Sequence, residues 1–192
     1  MKVRTITSYL MNMIPYIMLA VPVYLIARIV FVKAKKLKTN RYRETALFVL
    51  VILVVGVISQ TVIPEFDLSV NGFHIVQKGV HRTNLKPFKV LFETYQEVFV
   101  NQHIHYFLIN FLGNIILFIP FGLLIPLLWK TSMKKTLLIG LCFSLFIEIC
   151  QLFLARGTDV DDLILNTAGV LSGVFIYKFL QKHFKNFVEK FH

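Results

Sequence analysis

Long apolar stretches separated by short polar ones dominate the chain. The mostly apolar stretches lie at residues 9–32, 45–63, 107–129, 135–154 and 163–180. A helix needs roughly 20 apolar residues, at about 1.5 Å of rise each, to cross the hydrocarbon of a bilayer. The pattern therefore predicts an all-α, polytopic transmembrane helix bundle of about five spans. We treat residues 1–192 as a single membrane domain.

The polar positions between the stretches predict how the chain lies in the bilayer. The formal net charge is +11, and six lysines and arginines fall between residues 33 and 43. Basic loops stay on the cytoplasmic side, so this loop is expected there, with the C-terminus inside and the N-terminus outside. No nucleic-acid-binding motif accompanies the charge, so the lipid bilayer is the expected partner. The oligomeric state is not predicted.

The loop over residues 64–106 is expected on the outer face. Two predicted spans separate it from the loop at residues 155–162, so both loops should share that face. Aromatic and aliphatic residues in the first loop recur at three- and four-residue steps: Phe88, Leu91, Phe92, Tyr95 and Phe99. This spacing predicts an amphipathic helix that lies at the membrane interface.

Polar side chains interrupt the last three spans at similar depths, about 5 to 11 Å below the outer surface at 1.5 Å per residue. Within each span they are three or four residues apart, which places them on one helix face. The loop before the fifth span adds an arginine and further acids. The candidate ligand-binding residues are Asn110, Asn114, Glu148, Gln151, Arg156, Asp159, Asp162 and Asn166.

Glu148 is the most informative of these residues. A carboxylate at the middle of a membrane helix costs roughly 2.5 to 3.5 kcal/mol, so Glu148 should face the bundle. It should pair with Arg156, accept hydrogen bonds from asparagine amides, or carry a proton. The other polar residues have simpler readings that stay open: interhelical hydrogen bonds for the asparagines, and a helix N-cap for Asp162. Gly169 and Gly173 form a GxxxG motif that favours close helix packing.

The ordered motifs resemble those of the VanZ-like family. They are N-x-x-x-N-x-x-x-F-x-P-F-G from Asn110, E-x-x-Q from Glu148, R-x-x-D-x-D-D from Arg156 and N-T-x-G-x-x-x-G from Asn166. The stretch NLKPF at residues 84–88 is similar to a further element of that family. The resemblance covers residues 84–178, and the first two spans carry no matching motif.

The resemblance implies a small multi-pass protein of the bacterial cytoplasmic membrane. Some members of the family are linked to resistance against glycopeptide antibiotics, teicoplanin above all, without a change to the D-Ala-D-Ala terminus of the cell-wall precursor. No reaction is established for the family. Because teicoplanin carries an acyl chain, a binding site at the membrane face is chemically reasonable.

Two functions are therefore carried forward. The first is a binding protein whose outer-leaflet polar pocket holds a lipid-linked cell-wall intermediate or the lipoglycopeptide. Arg156 would hold an anionic group there, and the asparagines would donate hydrogen bonds. The alternative is an enzyme acting on a polyprenyl- or phospho-lipid headgroup, with Glu148 as the candidate general acid or base. No inverted repeat favours a transporter.

A metal site has only weak support. Three carboxylates, Asp159, Asp161 and Asp162, could together hold a divalent cation that grips phosphate. The D-x-D-D spacing is not specific for metals, however, and no other cofactor motif is evident.

Overall fold

A computed structural model describes residues 6–63, 65–69, 72–76, 83–101, 104, 107–153 and 158–192. Its elements, in chain order, are helices α1 (Ile6–Lys35) and α2 (Arg41–Thr61), strands β1 (Glu65–Ser69), β2 (Gly72–Val76) and β3 (Thr83–Asn84), helices α3 (Lys89–Tyr95), α4 (Gly113–Trp129) and α5 (Met133–Phe153), strand β4 (Thr158–Asp159), and helices α6 (Val160–His183) and α7 (Lys185–Glu189). The β structure of the described residues consists of two short two-stranded pairings, so the fold is all-α.

The predicted bundle of membrane-spanning helices is confirmed. Helices α2, α5 and α6, together with residues 11–35 of α1, are long and apolar enough to cross a bilayer. Helix α4 is apolar but has 17 residues. A π-helical segment, Phe107–Leu112, precedes α4 directly and lengthens it to the predicted third span. The protein is therefore a multi-pass membrane protein with about five spans.

Glycines allow α4 and α6 to pack closely. A methyl group added to Gly169 or Gly173 would collide with backbone carbonyls of α4, those of Ile115 and Ile119 respectively. Gly122 of α4 faces the same contact, because a methyl group there would meet the Val170 carbonyl. The GxxxG motif thus brings two backbones together, as its spacing predicted.

Two groups of buried apolar residues fill the bundle. One contains Val57, Phe118 and Val170, which are at most 2% exposed, and joins α2, α4 and α6. The other contains Leu128, Tyr177 and residues of the C-terminal segment, and it lies at the opposite end of α4. Helices α4 and α6 contribute to both groups, so they form the centre of the bundle.

The basic segments come together at one end of the bundle, as the topology predicted. The Asn40 side chain donates a hydrogen bond to the carbonyl of Lys190 over 2.6 Å. Arg43 donates to the carbonyl of Leu128, also over 2.6 Å. We call this end the lysine-rich end, formed by residues 36–43, 130–135 and 182–192.

Helix α1 lies at the edge of the bundle. None of its most apolar window is buried inside the protein, which is typical of a helix that faces lipid. It is tied to α2 by Arg28, which donates two hydrogen bonds of 2.7 and 2.6 Å to the Glu44 carboxylate. A bidentate pair of this kind gives α1 a fixed register against α2.

The segment between α2 and α4 contains the predicted amphipathic helix. Helix α3 covers Lys89–Tyr95 and continues as a π-helical turn through Val100. Its buried side is Val90, while its large apolar residues are exposed: Leu91, Phe92, Tyr95 and Phe99. This exposed apolar side is suited to contact with the acyl region of a membrane. The hairpin of β1 and β2 precedes it.

Candidate functional site

Polar side chains from four segments meet at the end of the bundle opposite the lysine-rich end. The segments are β3, α4, α5 and the stretch from β4 into α6. We call the group the polar cluster, and it contains Asn84, Asn114, Ser144, Glu148, Asp159, Asp161, Asp162 and Asn166. Five of these eight residues come from the sequence-based candidates for ligand binding.

The parallel pairing of β3 with β4 brings residues 83–84 to the start of α6. Within this pair, the Asn84 amide donates to the Asp159 carboxylate over 2.9 Å. The same Asp159 oxygen accepts the backbone N–H of Asp161, also at 2.9 Å, so Asp159 is the N-cap of α6. The loops that contain β3 and β4 therefore share one face of the bundle, as predicted. The N-cap of α6 is Asp159, so the sequence-based reading of Asp162 as N-cap is wrong.

Asp161 holds the amphipathic helix α3 in place. Its side chain is 2% exposed and accepts the backbone N–H groups of Phe88 at 2.5 Å and Val90 at 2.7 Å. These are N–H groups at the start of α3, whose own N-cap residue, Phe88, provides no side-chain cap. A carboxylate from another segment thus takes the place of the local cap.

Glu148 lies on α5 and is 5% exposed. Its carboxylate accepts the backbone N–H of Asp159 over 3.1 Å. The sequence predicted asparagine amides or Arg156 as partners of Glu148. Among the described contacts no asparagine amide bonds to Glu148, and Arg156 lies outside the described residues.

Two side-chain pairs connect the three central helices. The Asn114 amide donates to the Asp162 carboxylate over 2.5 Å and joins α4 to α6. The Asn166 amide donates to the Ser144 hydroxyl over 2.9 Å and joins α6 to α5. Interhelical hydrogen bonding by asparagine is therefore present in both cases, as the simpler reading of these residues predicted.

Several buried oxygen atoms near these pairs lack a hydrogen-bond partner within the described part of the chain. They are the amide oxygens of Gln151 and Asn166 and the hydroxyl oxygen of Thr158. Buried polar atoms are nearly always paired in folded proteins. Within the described part of the chain, these oxygens therefore have unused hydrogen-bonding capacity.

Some predicted site residues are not part of the described contacts. Asn110 lies in the π-helical segment, and its side chain is outside the described residues, as is all of Arg156. The four-residue spacing of Asn110 and Asn114 assumed an α-helix, but regular α-helix begins only at Gly113. Gln151 is half-buried on α5, and its amide oxygen is the unpaired atom noted above.

The three aspartates do not form a metal site. Among the residues that the structure describes, no group of three His, Cys, Asp or Glu side chains is placed to hold a metal ion. The physical reason is that the carboxylates are engaged separately: Asp159 caps α6, Asp161 caps α3, and Asp162 accepts from Asn114.

Sequence reasoning missed two residues of the polar cluster and one residue next to it. Asn84 is part of the NLKPF stretch but was not assigned to the site, because its contact with Asp159 spans 75 positions. Ser144 is a small polar residue inside an apolar helix and gave no signal of its own. Thr158 lies in the loop at residues 155–162, from which only charged residues were predicted to belong to the site.

The chain matches the model of a known protein family. The family model described as VanZ/LLP1 matches residues 45–181. The chain belongs to the VanZ/LLP1 family. The matched range also includes α2, so the second span belongs to the family region although it carries no motif that we could match.

One curated relative was found for a shorter part of the chain. The chain is 39% identical over 74 residues to Protein VanZ of Enterococcus faecium. The alignment covers 38% of this chain and 46% of that protein, so the chain spans less than half the length of its curated relative. No solved structure matches the chain.

Proposed function

We propose that this VanZ-like membrane protein contributes to resistance against teicoplanin and related lipoglycopeptides. In the proposal, the polar cluster lies in the outer leaflet of the cytoplasmic membrane and binds a lipid-linked cell-wall intermediate or the lipoglycopeptide itself. The observation that carries the proposal is the convergence of four segments on buried carboxyl groups and unpaired acceptor oxygens. A link to resistance in the VanZ-like family supports the biological context.

The contacts favour a particular ligand chemistry. One N–H of Asn114 and one of Asn166 are already used within the protein. The unpaired oxygens of Gln151 and Asn166 are acceptors, and the Thr158 hydroxyl can accept as well as donate, so the ligand should supply mainly donors: hydroxyls of a sugar, peptide N–H groups, or an amine. Lipid-linked cell-wall intermediates and lipoglycopeptides both carry such groups, next to an acyl or prenyl chain that can lie against the exposed apolar side of α3.

Orientation follows from the charge pattern. With the lysine-rich end in the cytoplasm, the polar cluster faces the compartment where cell-wall intermediates are assembled into peptidoglycan. This assignment places the N-terminus outside and the C-terminus in the cytoplasm.

The enzyme alternative rests on Glu148, which is buried and bonded to one backbone N–H group within the described contacts. The variant Glu148→Gln separates the two functions. Gln keeps an oxygen that can accept the Asp159 N–H, so the fold should persist. Loss of charge weakens a hydrogen bond by about 1 kcal/mol, or about fivefold in binding. A proton-transfer role would instead be abolished.

The test measures teicoplanin susceptibility of cells that carry equal membrane amounts of each form, together with binding of teicoplanin and of a lipid-linked intermediate to purified protein. We expect Glu148→Gln to bind about fivefold more weakly and to protect partially. Glu93→Gln, which removes an exposed charge on α3, serves as the matched control. Complete loss of protection with unchanged binding would favour the enzyme, and absence of binding by the unmodified protein would refute the binding function.

A further inference from the structure

A cavity of about 410 Å³ opens at the lysine-rich end, away from the polar cluster. It is formed where α4 ends, α5 begins, and α6 passes into α7. Pro126 and Val174 contribute apolar wall, and no residue of the polar cluster lines it. Met133, which lines the cavity, lies fifteen positions before Glu148 on α5. At 1.5 Å per residue the two positions are about 22 Å apart.

The charges around this cavity are unbalanced. Three of the lining side chains are lysines, Lys130, Lys178 and Lys185, and one is a carboxylate, that of Glu189. Glu189 is paired with Lys185 at 3.7 Å, an exposed i,i+4 pair on α7. The described contacts place no carboxylate within ion-pair distance of Lys130 or Lys178.

Lys178 shows the imbalance most directly. Its ammonium group is 3.5 Å from the thioether sulfur of Met133, which is a weak acceptor for a full positive charge. Both Lys178 and Lys130 are exposed, so water solvates their ammonium groups when no ligand is bound. Because both lysines line the cavity and neither has a carboxylate partner among the described contacts, both can contact an anion that enters it.

The neighbouring histidine experiences the same positive field. Partial burial, followed by the charges of Lys130 and Arg43, lowers the pKa of His192 below its ordinary value. His192 also lines the cavity. Burial is the largest cause of this pKa shift and Glu189 opposes it, but the charges of Lys130 and Arg43 beside the histidine favour an anion there.

Hydroxyl groups complete the lining. Thr131 and Ser132 line the cavity and directly precede α5. The Ser132 hydroxyl oxygen accepts the backbone N–H of Lys135 over 3.4 Å. Its hydrogen therefore points away from that bond and can be donated elsewhere. Lys130 itself adopts a left-handed backbone conformation, with φ of 50°, as it closes α4. Glycine is the usual residue at such a helix end, so a lysine here supplies a charge at a conformational cost.

We propose that this cavity binds the phosphate group of an anionic ligand, with Lys130 and Lys178 as the principal cationic contacts. Lysines at a helix end beside apolar wall are suited to the headgroup of an anionic phospholipid. A soluble phosphate offers the same chemistry, and the experiment separates these two sources. The site is independent of the function proposed for the polar cluster.

The experiment uses the full chain, purified in a neutral detergent. Trp129 is the single tryptophan and precedes the lining residue Lys130 directly, so we expect its fluorescence to change when a ligand binds. Three ligands are titrated separately: short-chain phosphatidylglycerol, short-chain phosphatidylcholine and inorganic phosphate. Binding is confirmed by native mass spectrometry of the lipid adducts.

Two double variants remove the same charge. Lys130→Gln/Lys178→Gln alters the cavity, whereas Lys134→Gln/Lys135→Gln alters exposed lysines at the same end that do not line it. We expect phosphatidylglycerol to bind the unmodified chain and the second variant equally, and the first variant at least tenfold more weakly. Lys178→Gln alone, which loses only the contact to a thioether, should also weaken binding and is a second test if the double variant does not fold.

The ligands distinguish the outcomes. Tighter binding of phosphatidylglycerol than of inorganic phosphate assigns the site to a lipid headgroup. Equal binding of the two, with the same dependence on Lys130 and Lys178, assigns it to a soluble phosphate. Equal binding of phosphatidylcholine, equal losses in both double variants, or no binding of either phosphate source would overturn the proposal.

Discussion

The attachment of α3 to the bundle depends on one carboxylate, and this dependence can be measured. Asp161 accepts the backbone N–H groups of Phe88 and Val90 while 2% exposed. A hydrogen bond to a charged group contributes about 1.5 to 3 kcal/mol, and a neutral one about 1 kcal/mol. In Asp161→Asn one charged bond becomes neutral and the other is lost, because the amide nitrogen cannot accept. The expected loss is about 2 to 5 kcal/mol.

That loss should be local. Helix α3 has seven residues and could not persist without tertiary support. A loss of 2 kcal/mol corresponds to about a 30-fold larger open population. Hydrogen exchange measured by mass spectrometry should therefore show residues 89–95 exchanging at least 30-fold faster in Asp161→Asn, up to complete loss of protection.

The control is Glu93→Gln, which removes the same charge from the exposed pair with Lys89. Exposed pairs contribute less than about 1 kcal/mol, so exchange in α3 should change little. The reasoning is refuted if both variants accelerate exchange in α3 equally. It is also refuted if Asp161→Asn accelerates exchange uniformly in α4, α5 and α6, because the carboxylate would then support the whole bundle rather than α3.

Two further predictions concern the bundle and its orientation. Gly173→Ala places a methyl group against the Ile119 carbonyl and should destabilise the fold by about 1 to 3 kcal/mol. In the control Gly113→Ala the added methyl would lie 3.4 Å from the Leu108 carbonyl oxygen, so stability should change by less than about 1 kcal/mol. Thermal unfolding in detergent compares the two variants, and equal losses of stability would contradict the packing argument. For the orientation, single cysteines are placed at the exposed positions Lys86 and Thr39 in a chain with Cys142 and Cys150 replaced by alanine. An impermeant maleimide should label position 86 from outside the cell and position 39 only from inside. Labelling of both positions from one side would contradict an odd number of spans between them.

The sequence by itself determined the membrane class, the five apolar spans and the joint location of the basic segments. Apolar length and charge placement act locally and need no knowledge of helix contacts. It also predicted an amphipathic helix within residues 84–100, since the period of three and four residues is a property of the chain alone.

Only the tertiary structure decided which polar side chains meet. Asp161 was read as a weak metal ligand, yet it caps a helix some 70 positions earlier in the chain. Asn84 and Ser144 entered the polar cluster because β3 pairs with β4 and α5 lies against α6. Such partners are chosen by the packing of whole helices, which glycines at α4 and α6 permit. Spacing along one helix fixes the face of a residue, but the residue across that face is fixed only when the helices come together.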